Sequence, residues 1–472
     1  MKIIPLSLWR FQQLCAGALA ILSPLAMDVS LPTRIFSIPK LTTLCALSAL
    51  GLGALLFQRD KNVFQKALLR QNFPRYLGVC LALWITWLGL TTLTAQDAAR
   101  SWFGSYQWSL GLFTQLGLLS LAWLTFLTTS TARASRWFYR LAILASLPVV
   151  VYGLIQYFQL DWITWSARDT GRVFSTLGNQ NYLGGYLAVI ALLTLGESLE
   201  SKTWLSRFGW GALLFVQLFC LWITECKGAI IAVVIGAVAL LWLRWKFNWR
   251  VALGVVGFLI VGSLAVSLLL GIRGEEWGSL YARFDPWEGR LFTWATAYSA
   301  VTARPWIGWG LSSFDLILPA HSTPGFIHQQ ITYEHSGLIV DRAHNLWWEL
   351  AVETGLIGVV LWMVMFCALL YTVMRAAQWQ PLLRGRLLAA VMALIGYVLH
   401  QLFNPSDIGS ATIFWWLAGW ALAAACLPAE PAPQSAAAPI CKVEDARFLS
   451  QIFFLIAAFG SGYALWQWLQ RV

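Results

Sequence analysis

Charge is scarce in this sequence. Asp, Glu, Lys and Arg make up 11% of 472 residues and hydrophobic residues 59%, a balance that no water-soluble domain of this length needs for its core. The main solvent is therefore lipid. No internal repeat is evident, and the net charge of +11 is not gathered into a basic domain, so no nucleic-acid partner is expected. No disulfide framework is available either: Cys15, Cys45, Cys80, Cys220, Cys367 and Cys426 fall in apolar runs and Cys441 in a predicted inner loop, leaving Cys226 near the outer face.

What the chain does hold is apolar runs near the length that crosses a bilayer. They lie at 11–27, 39–58, 76–95, 109–128, 138–157, 177–196, 208–224, 228–243, 251–270, 345–373, 387–403, 411–427 and 448–468. The expectation is an all-α, polytopic membrane protein of about 12–13 transmembrane helices, with residues 1–472 forming a single membrane domain. Lys2 and Arg10 precede the first run, which reads as a retained helix rather than a cleaved signal.

Basic residues recur beside alternate spans: Arg59, Lys61, Lys66, Arg70 and Arg75; Arg133, Arg136 and Arg140; Arg244, Lys246 and Arg250; Arg375, Arg384 and Arg386. Lys and Arg flanking a span tend to stay in the cytoplasm, which predicts an inner-membrane protein with its N-terminus inside and contact with anionic lipids. The Pro/Ala-rich start of segment 428–447 reads as a cytoplasmic linker before the last helix.

One long loop, 271–344, is predicted to face the periplasm, and long loops usually carry chemistry. It holds His321, His328, His335 and His344, four of the chain's five histidines. The run GRLFTWATAYSAVTARPWIGWG (289–310) places Trp294 and Ala297 at near-helical spacing after Arg290, then a turn at Pro305, Gly308 and Gly310, and reads as an amphipathic interfacial helix with a breaker. Two uses stay open here: Arg290 and the tryptophans anchoring to headgroups, or binding a substrate. In HNLWWELAVETG (344–355), His344 and Gly355 are eleven residues apart, about three helical turns, which would put them on one face, with Gly355 and Gly358 allowing close packing. A histidine at the mouth of a span suits a general base, or is simply structural.

Helices that run inward present their positive dipole ends and free N–H groups to the outer face, an arrangement that suits phosphate. Three such starts are expected: Arg172 followed by STLGNQNYLGGY (175–186), Lys227-Gly228 after Glu225-Cys226, and Arg342 with His344. Against this, Lys227 could pair with Glu225 or snorkel, Asn179 and Asn181 could cap a helix, and Gly184 and Gly185 could serve packing. The spacing of His321, His328 and His335 is no recognised ligand pattern, so neither a metal nor another cofactor is expected.

At these residues the chain resembles the O-antigen ligase and polymerase superfamily, the bacterial lipid-linked glycan ligases. His344, Asn345 and Gly355 match its His-Asn-x9-Gly motif, residues 290–310 its Arg-x3-Trp-x2-Ala…Pro-x2-Gly-x-Gly block, and 178–187 its mid-chain signature. The resemblance implies a GT-C-like glycosyltransferase that moves a glycan from undecaprenyl diphosphate to an acceptor hydroxyl at the periplasmic face, inverting and without metal. It makes His344 the base, with Arg290, Lys227, Arg172 and Arg342 the diphosphate ligands, and Asn345, Gly355, Asn179 and Asn181 the structural motif. Lys227 stands where relatives commonly have Arg, replacing a bidentate fork with a point charge.

The acceptor stays open between a lipid A core sugar or similar lipid, another glycan (an O-antigen polymerase), and a protein hydroxyl (a protein O-oligosaccharyltransferase). A transporter of inorganic carbon or another solute is the rival class. It would place ionisable groups near the bilayer midplane, whereas here the polar groups gather at the outer face.

Overall fold

A computed structural model describes residues 4–31, 34–56, 74–163, 165, 172–245, 249–274, 276, 288–334, 340–427 and, within the last expected span, 451, 454–455, 457–458 and 461–463. The 428–447 linker and most of 448–468 lie outside the described residues. The described chain is helical and contains no strand, as lipid demands, because a helix satisfies its own backbone hydrogen bonds. In order the helices are α1 (Ile4–Leu25), α2 (Ser37–Leu56), α3 (Arg75–Leu93), α4 (Ala98–Phe103), α5 (Leu112–Thr128), α6 (Ala132–Leu144), α7 (Ser146–Tyr157), α8 (Gln180–Glu200) and α9 (Trp204–Ile223). There follow α10 (Lys227–Trp245), α11 (Trp249–Ile272), α12 (Glu288–Ala303), α13 (Phe314–His321), α14 (Pro324–Glu334), α15 (Leu346–Trp379), α16 (Arg384–His400) and α17 (Ile408–Cys426).

Eight helical stretches among the described residues are long and apolar enough to cross a membrane: α2, α3, α6 with α7, α8, α9, α10, α15 and α17. The chain is a multi-pass membrane protein. Each of the first twelve predicted spans coincides with a helix or, for α6 and α7, a helix pair. That pair divides at Ala145, three residues before Pro148, whose missing N–H leaves the preceding turn unbonded.

Helices α8, α10 and α16 pack through glycines. A Cβ on Gly184 would meet Cys226 Cβ at 2.8 Å, one on Gly236 would meet Leu192 at 2.7 Å, and one on Gly185 would meet the His400 ring at 2.8 Å. These contacts make α8 and α10 parallel and α16 antiparallel to both. The starts of α8, α10 and α15 and the end of α16 therefore gather at one end of the bundle. At the other end, Glu197 and Glu200 are the described carboxylates; Arg140 and Arg386 hold Glu197 at 2.8 and 2.7 Å, and Arg244 pairs with Glu200.

Segment 271–344 is not an open loop: it contains α12, α13 and α14. Nor does α12 lie amphipathically on an interface, since Trp294, Thr296, Ala297 and Ala300 are buried on successive faces. Small and aromatic residues predominate in it, and they pack against α11 and α15 instead of separating into a wet and a greasy side. The described non-glycine residues with left-handed backbone, Ser109, Gln159, Ser175, Glu225, Ser312 and His344, all sit at the end where α8, α10 and α15 begin. Such strain costs roughly 1–3 kcal/mol each and clusters where function requires it.

Candidate functional site

Asn345 organises the entry to α15. Its Oδ1 accepts from the N–H groups of Trp347 (2.9 Å) and Trp348 (3.2 Å), and its Nδ2 donates to Ser267 Oγ and the Leu402 carbonyl, both at 3.0 Å. The Leu346 N–H donates to the Gln401 carbonyl (2.9 Å). One cap thus ties α15 to α11 and to the turn after α16. The cap also uses the N–H groups expected to be free for phosphate. The start of α15 keeps its dipole but not its donors, and the same holds for Asn181 N–H at α8, which donates to Asn179 Oδ1 (2.8 Å).

His344 lies just outside the helix with φ +52°. The expected sharing of a helical face with Gly355 is therefore not found: His344 is not helical, and Gly355 interrupts α15 at φ 70°, ψ 177°. The reason is the Pro305–Gly310 turn, which docks on the break. Trp309 N–H donates to the Val352 carbonyl (2.8 Å), Gly310 N–H to Glu353 (2.9 Å) and Leu356 N–H to Pro305 (2.7 Å), while Trp87 Nε1 donates to the Thr354 carbonyl (2.8 Å). The Val352, Glu353 and Thr354 carbonyls and the Leu356 N–H, released by the kink, are thus satisfied by that loop or by α3. Neither Gly308 (φ 72°) nor Gly355 has room for a side chain, because each backbone lies against the other.

The Trp294 Nε1–H donates to the Ala343 carbonyl (2.9 Å), fixing α12 against the residue before His344. Arg290, one turn earlier on α12, acts electrostatically on His344, on Cys226 before α10 and on His400. Burial, reinforced by Arg290 and Arg342, pushes the His344 imidazole down to about 3. It is neutral at pH 7, and no described residue hydrogen-bonds to it.

The expected cations separate into two groups. Lys227 is exposed at the first position of α10, and Arg172 pairs with Glu225 at 2.9 Å, both side chains about half exposed. That ion pair is weak in water and easily exchanged for a phosphate. Arg342 is different: it is buried, its Nε donates to Glu349 (2.9 Å) and its Nη1 to the Ser406 carbonyl. Glu349 also accepts from Ala343 N–H at 3.1 Å, so Arg342 is committed to holding the His344 segment. The open alternatives at Lys227 and Asn179 resolve accordingly: Glu225 pairs with Arg172, and Asn179 caps α8.

Cys226, His400 and Asn404 carry no predicted role, yet the fold groups them beside the start of α10. His400 is fully buried; its Nδ1 lies 3.2 Å from Asn404 Nδ2 and 3.9 Å from Cys226 Sγ. The signal was legible in principle, since the topology puts His400-x3-Asn404 at the outer end of its span.

Residues 212–363, about a third of the chain, match the family model described as O-antigen ligase. Over that stretch the chain is similar to the O-antigen ligase family. The O-antigen ligase match runs from the middle of α9 through α15, and so contains Lys227, Arg290, Arg342, His344, Asn345 and Gly355 but not Arg172, Asn179 or Asn181. No curated protein matches the sequence.

Proposed function

We propose that this O-antigen ligase-type protein transfers a glycan from undecaprenyl diphosphate to an acceptor hydroxyl, a lipid A core sugar or similar, on the periplasmic side of the inner membrane. The basic end of the bundle then faces the cytoplasm. The supporting observation is that a neutral His344, to which no described residue hydrogen-bonds, lies within electrostatic reach of Arg290 at the end of the bundle where α10 begins with Lys227.

In the reaction the acceptor oxygen attacks the anomeric carbon and gives its proton to His344, the bond from that carbon to the diphosphate oxygen breaks, and undecaprenyl diphosphate leaves with the bonding pair. Arg290, Lys227 and Arg172 stabilise the charge that develops on it. Attack from the face opposite the leaving group inverts the carbon, and no metal is required. Arg342 acts as a positioning residue through Glu349.

A depressed pKa makes His344 a weak base in the empty site. A bound diphosphate offsets the Arg290 charge, so donor binding itself raises the basicity of His344.

The test is transfer by purified protein from a glycosylated undecaprenyl-diphosphate donor to lipid A core, glycan and protein acceptors. Acceptor-dependent release by wild type, abolished in His344→Ala, supports the assignment. A folded protein that binds donor and transfers to none of the three refutes it.

A further inference from the structure

Beside Arg172 the structure opens a cleft of about 610 Å³, between the ends of α7 and α9 and the chain that follows Tyr157. Its volume falls within the roughly 300–1,000 Å³ of pockets that hold small ligands. Two kinds of side chain share it. Tyr157, Trp165, Phe219 and Trp222 present rings, while Gln159 and Glu225 present polar groups.

Interfacial anchoring accounts for exposed rings, but it does not call for a concave space with an amide and a carboxylate on its wall. Flat apolar faces beside hydrogen-bonding groups are instead what a sugar requires, its ring being apolar on the face and hydroxylated at the edge.

The walls are held in place. Asp161 accepts from Trp165 Nε1 (2.8 Å), Tyr152 Oη (2.9 Å) and Ile163 N–H (3.0 Å), and Trp165 stacks on Phe36 with ring centres 5.8 Å apart. Gln156 Oε1 accepts from Ser175 N–H at 2.7 Å, closing the far side. Gln159 and Glu225 hold left-handed backbone at φ +58° and +56°. With its Trp165 wall fixed before binding, the cleft loses less entropy when it binds.

The cleft also has a direction. Glu225 lies on its wall and is two residues from Lys227. Arg172 lines the cleft, pairs with Glu225 and acts on Cys226, the residue before α10. A diphosphate at the start of α10 would carry its first sugars into this space.

We infer that the cleft is a saccharide-binding subsite that holds the sugars of the donor nearest the diphosphate, with Tyr157 and Trp222 as stacking platforms. Its assignment to the donor rests on the function proposed above; its capacity to bind sugar does not.

The experiment uses full-length protein in lipid nanodiscs and two probes: bare undecaprenyl diphosphate, and the free oligosaccharide released by mild acid from the lipid-linked glycan of the source cells. Calorimetry should detect both. Trp222→Ala and Tyr157→Ala should each weaken the oligosaccharide roughly five- to tenfold, about what one aromatic contact contributes. Both should leave the bare lipid unchanged, and Trp222→Phe, which keeps a ring, should recover most of the loss. Both side chains are substantially exposed, so the fold does not depend on them.

Oligosaccharide that does not bind wild type, or binds Trp222→Ala equally well, overturns the subsite even if transfer proceeds normally. Loss of both probes together identifies the rings as general membrane anchors and overturns it too. Selective oligosaccharide loss in a protein that transfers nothing keeps the sugar site and removes the ligase reading.

Discussion

At the scale of single residues, His344 occupies a backbone conformation that costs a side-chain-bearing residue roughly 1–2 kcal/mol. A purely structural position would favour glycine. His344→Gly should therefore melt no lower than wild type, and by up to about 1 kcal/mol higher, yet lose transfer; a marked fall in melting temperature would make His344 a packing residue. Its titration gives a second prediction. The folded pKa of about 3 lies below the ordinary 6.5, so the neutral form persists through the mildly acidic range in empty enzyme. Bound diphosphate shifts that pKa upward, and the acid limb of kcat should accordingly fall at higher pH than that of kcat/KM. Coincident limbs would argue against the coupling. Arg342→Gln strands a partly buried Glu349 and should cost roughly 3–5 kcal/mol of stability, and Arg290→Gln should lower kcat/KM for the donor.

At the scale of elements, the two segments that resemble family motifs prove to be halves of one construction. The Pro305–Gly310 turn satisfies the Val352 and Glu353 carbonyls that the Gly355 kink exposes, and the kink provides the opening into which the turn fits. Gly355→Ala would push a Cβ onto the Trp306 carbonyl in a left-handed conformation, so turn and helix should separate together. The expected result is a loss of at least about 2 kcal/mol in thermal unfolding, with transfer falling in step as the α12 contact at Ala343 loosens. Wild-type stability in this variant would mean that the docking is incidental. Spacing alone suggested an unbroken helix, because three turns separate His344 from Gly355 in either case. Only a partner for the freed backbone groups reveals the kink, and that partner lies some fifty residues earlier in the chain.

At the scale of the whole molecule, the bundle is polarised, with paired Glu197 and Glu200 among the arginines at one end and the strained backbone, His344 and the aromatic cleft at the other. The proposed orientation predicts that, in right-side-out vesicles, a membrane-impermeant maleimide labels Trp162→Cys but not Arg133→Cys; the reverse pattern would put the site in the cytoplasm. Both positions are exposed, and Cys226 is buried and should stay silent.

Hydrophobic run length and basic flanks determined, without coordinates, that the chain is a helical membrane protein and where twelve of its helical stretches lie, eight of them long and apolar enough to cross a membrane, because lipid leaves the backbone few alternatives. Local signals also offered Asn179 as a possible cap, which the structure bears out, and marked His344 and Arg290 as worth attention. What only tertiary structure decided is which polar groups are already engaged: Arg342 by Glu349, the first N–H groups of α15 by Asn345 and Gln401, and the α15 kink by a distant turn. It also decided that α12 is buried and that His400 and Asn404 stand beside Cys226. The physical reason is common to all of these. Propensity and hydropathy act over one or two turns, whereas the pairing of a buried charge or a freed carbonyl depends on whichever helix the packing brings against it.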